Sequence, residues 1–544
     1  MTSPRSQPDG RPSRRALLAG AFSTIASAAY SGFTAAQAQE SSAKPSSPAK
    51  RPNIVLIMVD DMGWSDIGCY GSEIRTPNID RLAREGTRFT QFYNTARCCP
   101  SRAALLTGLY PHQTGVGHMV ADYGDPAYRG FLNDRCVTAG EALRQAGYAT
   151  YMSGKWHVGA EPAHWPRQRG FDRYFGLISG ASNYWRLDSN RRMALDDQPY
   201  TPPDDGSFYM TDAFTDYAVN YIEEHRTGER RGDPFFLYLA YTAPHWPLHA
   251  HESDIARYRG TYDQGWDVLR LQRHERQKRM GLVDPQWDLS PRDPKAAAWD
   301  SLDDAQKAEF AHRMAVYAAQ VDRMDQGVGR VLAALEQQGI LENTIVLFLS
   351  DNGGCHEEID RGVAGVPAGG ADSFASYGLP WANASNTPLR LFKTYVHEGG
   401  IASPLIARGP GVKPGVVRHD VGHVIDLLPT CLDLAGAAFP ETYEGRQITP
   451  VEGRSLAPLL GGGRRDEHEA IYWEHEGNRA MRRGDMKLVS AHGGEWELYD
   501  LHADRTETRN LARQQPDVVA DMQADYQQWA SRVGVQPWPE VRGG

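Results

Sequence analysis

The sequence predicts an α/β protein: a large doubly wound mixed sheet flanked by helices, with a smaller C-terminal domain built on an antiparallel sheet. Three observations predict it. Short apolar runs recur and end in polar residues, as strands buried on both faces do. Helical patterns lie between them. Near the C-terminus the pattern changes to short alternating strands joined by tight turns.

In chain order, the N-terminus reads first as an address. Ser13-Arg14-Arg15-Ala16-Leu17-Leu18 is a twin-arginine pattern, an Ala-rich, weakly apolar stretch follows, and Ala36-Gln37-Ala38 fits a cleavage site. Residues 1–38 are therefore expected to be a signal peptide directing export to the periplasm or beyond. Ser, Thr, Gly and Tyr interrupt the apolar stretch too often for a stable membrane span. Residues 39–50, rich in Ser, Pro and Lys, read as a linker.

The main domain is expected over 51–450. Residues 52–60 form an apolar run ending in Asp60-Asp61. Residues 148–152 end at Ser153-Gly154-Lys155, and 235–241 end at Ala243-Pro244-His245. Residues 344–349 end at Ser350-Asp351-Asn352-Gly353. Helices are expected over 139–146, 211–224 and 306–338. In a doubly wound sheet, polar residues just beyond the C-terminal ends of the strands build the site. Residues 257–302, rich in charge, Gln and Trp, read as a helical insertion on the surface, and 362–375 as a loop. The C-terminal domain is expected over 451–544, with strands at 470–474, 486–489 and 496–500 and a closing helix over 516–533.

Composition narrows the function. The chain has 544 residues, 41% hydrophobic and 23% charged, with a net charge of −10. That size calls for more than one simple core. The charge argues against nucleic acid and anionic membrane surfaces as partners. Six cysteines in such a length are no disulfide framework.

Chemistry concentrates at the strand ends. Asp60, Asp61, Asp351 and Asn352 offer four oxygen donors without His or Cys among them, the set of a hard cation, calcium first and magnesium second. Lys155 and His157 share one loop and, in extended backbone, one side. His245 sits in a proline-flanked turn, and Lys393 lies between Phe392 and Thr394. Singly, each is more often a surface lysine or a satisfied histidine. Cys98-Cys99-Pro100-Ser101-Arg102 stands where a helix begins, and both the arginine and the helix start favour a thiolate or an anion.

Together these segments resemble the type I sulfatases of the alkaline-phosphatase superfamily, over nearly the whole chain from Asn53 onward. Residues 379–388 with Glu398-Gly399-Gly400 are similar to bacterial arylsulfatases of the Pseudomonas type. The resemblance implies oxidation of Cys98 to formylglycine by a dedicated maturation enzyme, and one calcium ion on Asp60, Asp61, Asp351 and Asn352. It implies that Arg102 stabilises the nucleophile, and that Lys155, His157, His245 and Lys393 surround the sulfate group of a small ester. A phosphonate or phosphodiester hydrolase sharing the motif, and a non-catalytic binder of sulfated ligands, remain as alternatives.

Overall fold

In the computed structural model of the protein, residues 51–538 are described. The twin-arginine segment, the linker through residue 50 and residues 539–544 lie outside them.

Ten strands form one mixed sheet. They are β1 (Asn53–Val59), β2 (Thr87–Tyr93), β3 (Ala149–Gly154), β4 (Arg173–Leu177), β5 (Met193–Leu195), β6 (Gln198–Tyr200), β7 (Phe235–Ala240), β8 (Thr344–Ser350), β9 (Ala402–Arg408) and β10 (Val416–His423). Their spatial order is β10-β2-β9-β8-β1-β7-β3-β4-β5-β6. β8, β1, β7, β3 and β4 run parallel. β9 runs antiparallel to both β8 and β2. All seven residues of β1 are buried, the reason its sequence is continuously apolar. Val55, Ile57 and Val59 pack with Val316 and Tyr317 of the helix Asp304–Gln337; Ile54, Leu56 and Met58 pack with Ala103 and Leu105 of the helix Cys98–Thr107. Helices thus cover both faces. The long helix is started by a capping box, Asp303 with Gln306.

Register sets the ends of the central strands level. Val59 pairs with Ser350, Met58 with Ala240, and Gly154 with Ala240. The residues that follow are tied across the same line: Asp351 N donates to Val59 O at 3.0 Å, and Lys155 N to Ala240 O at 2.7 Å.

A two-stranded ribbon, β11 (Thr442–Tyr443) and β12 (Arg446–Gln447), precedes the C-terminal sheet. That sheet is an antiparallel meander of β13 (Ile471–His475), β14 (Asn478–Arg483), β15 (Met486–Ser490) and β16 (Glu497–Asp500). The helix Pro516–Val533 packs on it, Trp529 stacking on Tyr472 at 5.0 Å. Trp473 Nε1 donates to Asn94 O at 2.6 Å and fastens this sheet to the segment after β2.

Residues 257–302 depart from the surface insertion expected of them. Their helix, Gly265–Arg279, buries Trp266 against Trp299 and Trp381. Arg273 is wholly buried, bonded to Asp66 at 2.6 Å and to Glu73 at 2.8 Å. A charge-rich sequence here hides a core element because its charges meet partners inside. All six cysteines are buried and free. Among the described residues no helix is long and apolar enough to cross a membrane.

Candidate active site

The four level strand ends deliver Asp60 and Asp61 from β1, Lys155 and His157 from β3, His245 from beyond β7, and Asp351 and Asn352 from β8. Cys98 and Arg102 enter from the helix Cys98–Thr107, every residue of which is buried. Lys393 comes from the loop before β9. The structure therefore brings together all ten residues singled out in the sequence.

Their contacts form one network. Lys155 Nζ donates to Asp60 Oδ2 at 2.5 Å. Arg102 bonds Asp351 Oδ2 at 2.7 Å and lies 3.7 Å from Asp60 Oδ2. Lys393 Nζ donates to Asp61 Oδ2 at 2.8 Å, with His245 Nε2 3.3 Å from the same oxygen. Asn352 Nδ2 donates to Asp61 Oδ1 at 2.7 Å, and Asp61 N to Asp351 Oδ1 at 3.1 Å. Cys98 Sγ lies 3.5 Å from His157 Nδ1.

Two oxygens stand out. Asp60 Oδ1 and Asn352 Oδ1 are buried with no hydrogen-bond partner, an arrangement that costs about 1–3 kcal/mol per group. They come from neighbouring strands, beside two further carboxylates. An oxygen-only donor set with orphaned atoms fits a hard divalent cation. The charges agree. Burial would raise Asp60, yet Lys155, His245 and Arg102 hold its pKa down to about 2. Burial and the Asp60 charge push Asp351 well above the carboxylate range. A divalent ion between them would let both ionise together.

Around Cys98 the balance favours an anion. The adjoining Cys99 thiol, then Lys155 and His157, bring the Cys98 thiol well below its ordinary value against the cost of burial. Burial pushes Cys99 the other way. Burial also lowers His157 to about 4, leaving a neutral imidazole beside residue 98. Lys155 and Lys393 stay charged because Asp60 and Asp61 outweigh the burial that opposes their charge.

His157 does not lie on extended backbone. Its φ is +56°, in the left-handed region. Gly180 packs on its ring: a Cβ there would meet Nε2 at 2.4 Å. Nothing in the sequence marked that glycine. Sequence reading also passed over Glu357. It accepts from Trp246 Nε1 at 2.7 Å and lies 3.4 Å from Arg97 and 3.9 Å from Lys393. Its place soon after Asp351 and Asn352 was the available signal. Residues 182–185 and the loop 362–375 are bound to each other. Asn183 Nδ2 donates to Ala371 O at 2.7 Å, and Tyr184 OH braces His245 O at 2.9 Å.

Comparison with known proteins agrees with this geometry. A family model described as Sulfatase matches residues 52–437. A second, described as N-sulphoglucosamine sulphohydrolase, C-terminal, matches 390–531. An uncharacterised sulfatase of Schizosaccharomyces pombe is 36% identical over 90% of this chain and 96% of its own length. An arylsulfatase of Klebsiella aerogenes is 33% identical over 75% of this chain and 92% of its own. The crystal structure of Ps i-CgsB in complex with k-i-k-neocarrahexaose matches with a TM-score of 0.67 at 27% identity, covering 90% of this chain and 94% of that one. A catalytic fold, its strand-end acids and these matches lead to one conclusion: the chain belongs to the sulfatase family, whose members hydrolyse sulfate esters.

Proposed function

We propose that this protein is an exported arylsulfatase-type enzyme. It cleaves aryl sulfate monoesters to a phenol and inorganic sulfate, with Cys98 converted to formylglycine and one calcium ion held by Asp60, Asp61, Asp351 and Asn352. The observation that carries the reading is the pair of bare oxygens, Asp60 Oδ1 and Asn352 Oδ1, set among three buried cations and Cys98.

Calcium on that oxygen set supplies positive charge for the non-bridging oxygens of the ester. Formylglycine at residue 98 would supply a hydrated aldehyde: one hydroxyl to attack sulfur, its proton passing to Asp351, and a second to drive sulfate off afterwards. The remaining steps belong to side chains described above. Lys155, Lys393 and Arg102 are fully buried, so their charge is undiluted by water and stabilises charge developing on the sulfuryl oxygens. His245 faces Lys393 at 3.5 Å, and the two supply the proton that the leaving phenoxide takes as the S–O bond breaks. His157, 3.5 Å from residue 98, takes the proton of the remaining hydroxyl as sulfate departs. With formylglycine in place, release of sulfate would restore the aldehyde for rehydration by water.

Aryl sulfates are favoured by the run at 379–388 and by the Klebsiella arylsulfatase. Sulfated sugars are the second reading, favoured by the oligosaccharide bound to Ps i-CgsB. The deciding experiment compares rates on 4-nitrophenyl sulfate, a sulfated oligosaccharide and a phenyl phosphonate, with the mass of the peptide around residue 98 measured on the same sample. Conversion at residue 98 and fastest turnover of the aryl sulfate are expected. An unaltered thiol in fully active protein, or a preference for phosphonate, overturns the reading. The twin-arginine pattern supports export of the folded enzyme to the periplasm by the twin-arginine machinery.

A further inference from the structure

A second convergence of ligand-type side chains lies at the tip of the C-terminal sheet. His475 ends β13, and Glu476 begins the two-residue turn that leads to Asn478, the partner of His475 in the sheet. His118 reaches them from the loop after Pro111–Thr114. One donor atom of each, His118, His475 and Glu476, lies within 4.8 Å of the others.

The His118–Glu476 pair accounts for itself: Nε2 meets Oε1 at 2.9 Å. His475 does not. It is 0% exposed, and neither of its ring nitrogens has a hydrogen-bond partner. His118 Nδ1 is likewise buried and unpartnered. Buried imidazole nitrogens without partners forfeit their hydration for nothing unless something else bonds them. His475 Nε2 is directed at the group, 3.7 Å from the same Glu476 oxygen. The two rings are nearly parallel, 19° apart, with centroids 5.6 Å apart. Glu476 also holds a φ of +51°. Asn, Asp or Gly is the usual choice at that place in a two-residue turn, so a glutamate there is costly unless its carboxylate is used.

We propose that His118, His475 and Glu476 bind a divalent transition-metal ion, zinc by preference. Ligand atoms ~2.0–2.2 Å from a tetrahedral ion stand roughly 3.3–3.6 Å from one another. The two contacts to Glu476, 2.9 Å and 3.7 Å, bracket that spacing, and the two histidines' donor atoms lie within 4.8 Å, so side-chain shifts of about an ångström close the site. Two imidazoles and one carboxylate suit zinc, whereas the oxygen set at the strand ends suits calcium, so the two sites select different ions. Three protein ligands leave a fourth position for water. The bound ion clasps the His118 loop to the turn of the C-terminal sheet. Trp538, whose ring lies 4.4 Å from that of His118, reports on it.

The test uses the full, calcium-loaded enzyme. Zinc bound per chain is measured after dialysis at micromolar free zinc, and cobalt is used to read four-coordinate geometry from its visible absorption. One zinc per chain is expected, with quenching of Trp538 fluorescence by cobalt. His118→Asn and Glu476→Gln should each weaken zinc binding by more than about 10-fold and lose the rise in unfolding midpoint that zinc gives the wild type. His118→Asn carries the test if the turn variant unfolds. No zinc on the wild type overturns the proposal. So does zinc held equally by both variants, as binding at Cys98, Cys99 and His157 would produce.

Discussion

Two clusters of buried charge in this molecule use the same ingredients to opposite ends. One joins the C-terminal sheet to the main one. Lys487 of β15 lies 2.9 Å from Glu398 and 2.8 Å from Glu507, and Arg505 lies 3.0 Å from Glu398. Tyr93 OH donates to Glu398 at 2.9 Å, and Glu398 N to Glu507 at 2.9 Å. All four carboxylate oxygens have a donor within 3.0 Å. The Lys487–Glu507 contact is an ion pair by distance, though poorly aligned for a hydrogen bond. The outer nitrogens of Arg505 lack hydrogen bonds, but its guanidinium lies over the rings of Trp64 and Tyr93. The other cluster, at the strand ends, is equally buried but keeps two oxygens bare. A cluster whose acids are all met is a fastening; one with bare oxygens is built for something that arrives later.

The contrast can be broken most forcefully at residue 98. Cys98→Ala should cut turnover by more than about 10³-fold while the unfolding midpoint hardly moves. Retained activity would mean that the open cluster is not where chemistry happens. Next in size, Lys487→Met should cost about 3–5 kcal/mol in denaturant unfolding, because two buried carboxylates lose their cation. Activity per folded molecule should survive. Calcium sharpens the difference: at 100 times its Kd it should stabilise the wild type and Lys487→Met by about 2.7 kcal/mol. Asp60→Asn should lose that calcium-dependent gain. Equal gains in all three would place the ion elsewhere. The smallest effect is on pH. A base must be neutral to accept a proton, and burial holds His157 to about 4. The acid limb of kcat, measured with a substrate whose sulfate release limits turnover, should therefore fall near pH 4, not near the ordinary 6.5 of histidine. A limb at 6.5 that persists in His157→Gln would assign it to another group.

What the sequence disclosed follows from burial. Runs such as 344–349 are apolar because both faces are covered, and their polar ends are conspicuous for the same reason. β2 was missed because Arg88 and Gln91 face less buried surroundings and break the run. β14, with sequence NRAMRR, was missed because its arginines find partners outside the sheet. The ten candidate residues stood at predicted strand ends or in the motif at 98–102, or matched the family the sequence resembles, and the structure brings them together. Glu357, Arg97 and Gly180 were not legible, since their importance lies in what stands opposite them in space. Arg273 misled for that reason too: its partners Asp66 and Glu73 lie some 200 positions earlier in the chain.

Cys98 is 2% exposed, on a helix with no exposed residue. Once that helix has docked, no second protein can touch the sulfur without prising the core apart. If residue 98 is converted as proposed, the converting catalyst must reach it before that helix docks. Asp351, a partner of Asp61, lies 290 residues further along. There is accordingly an interval during synthesis when residue 98 has emerged beside Asp60 and Asp61 but Asp351 has not.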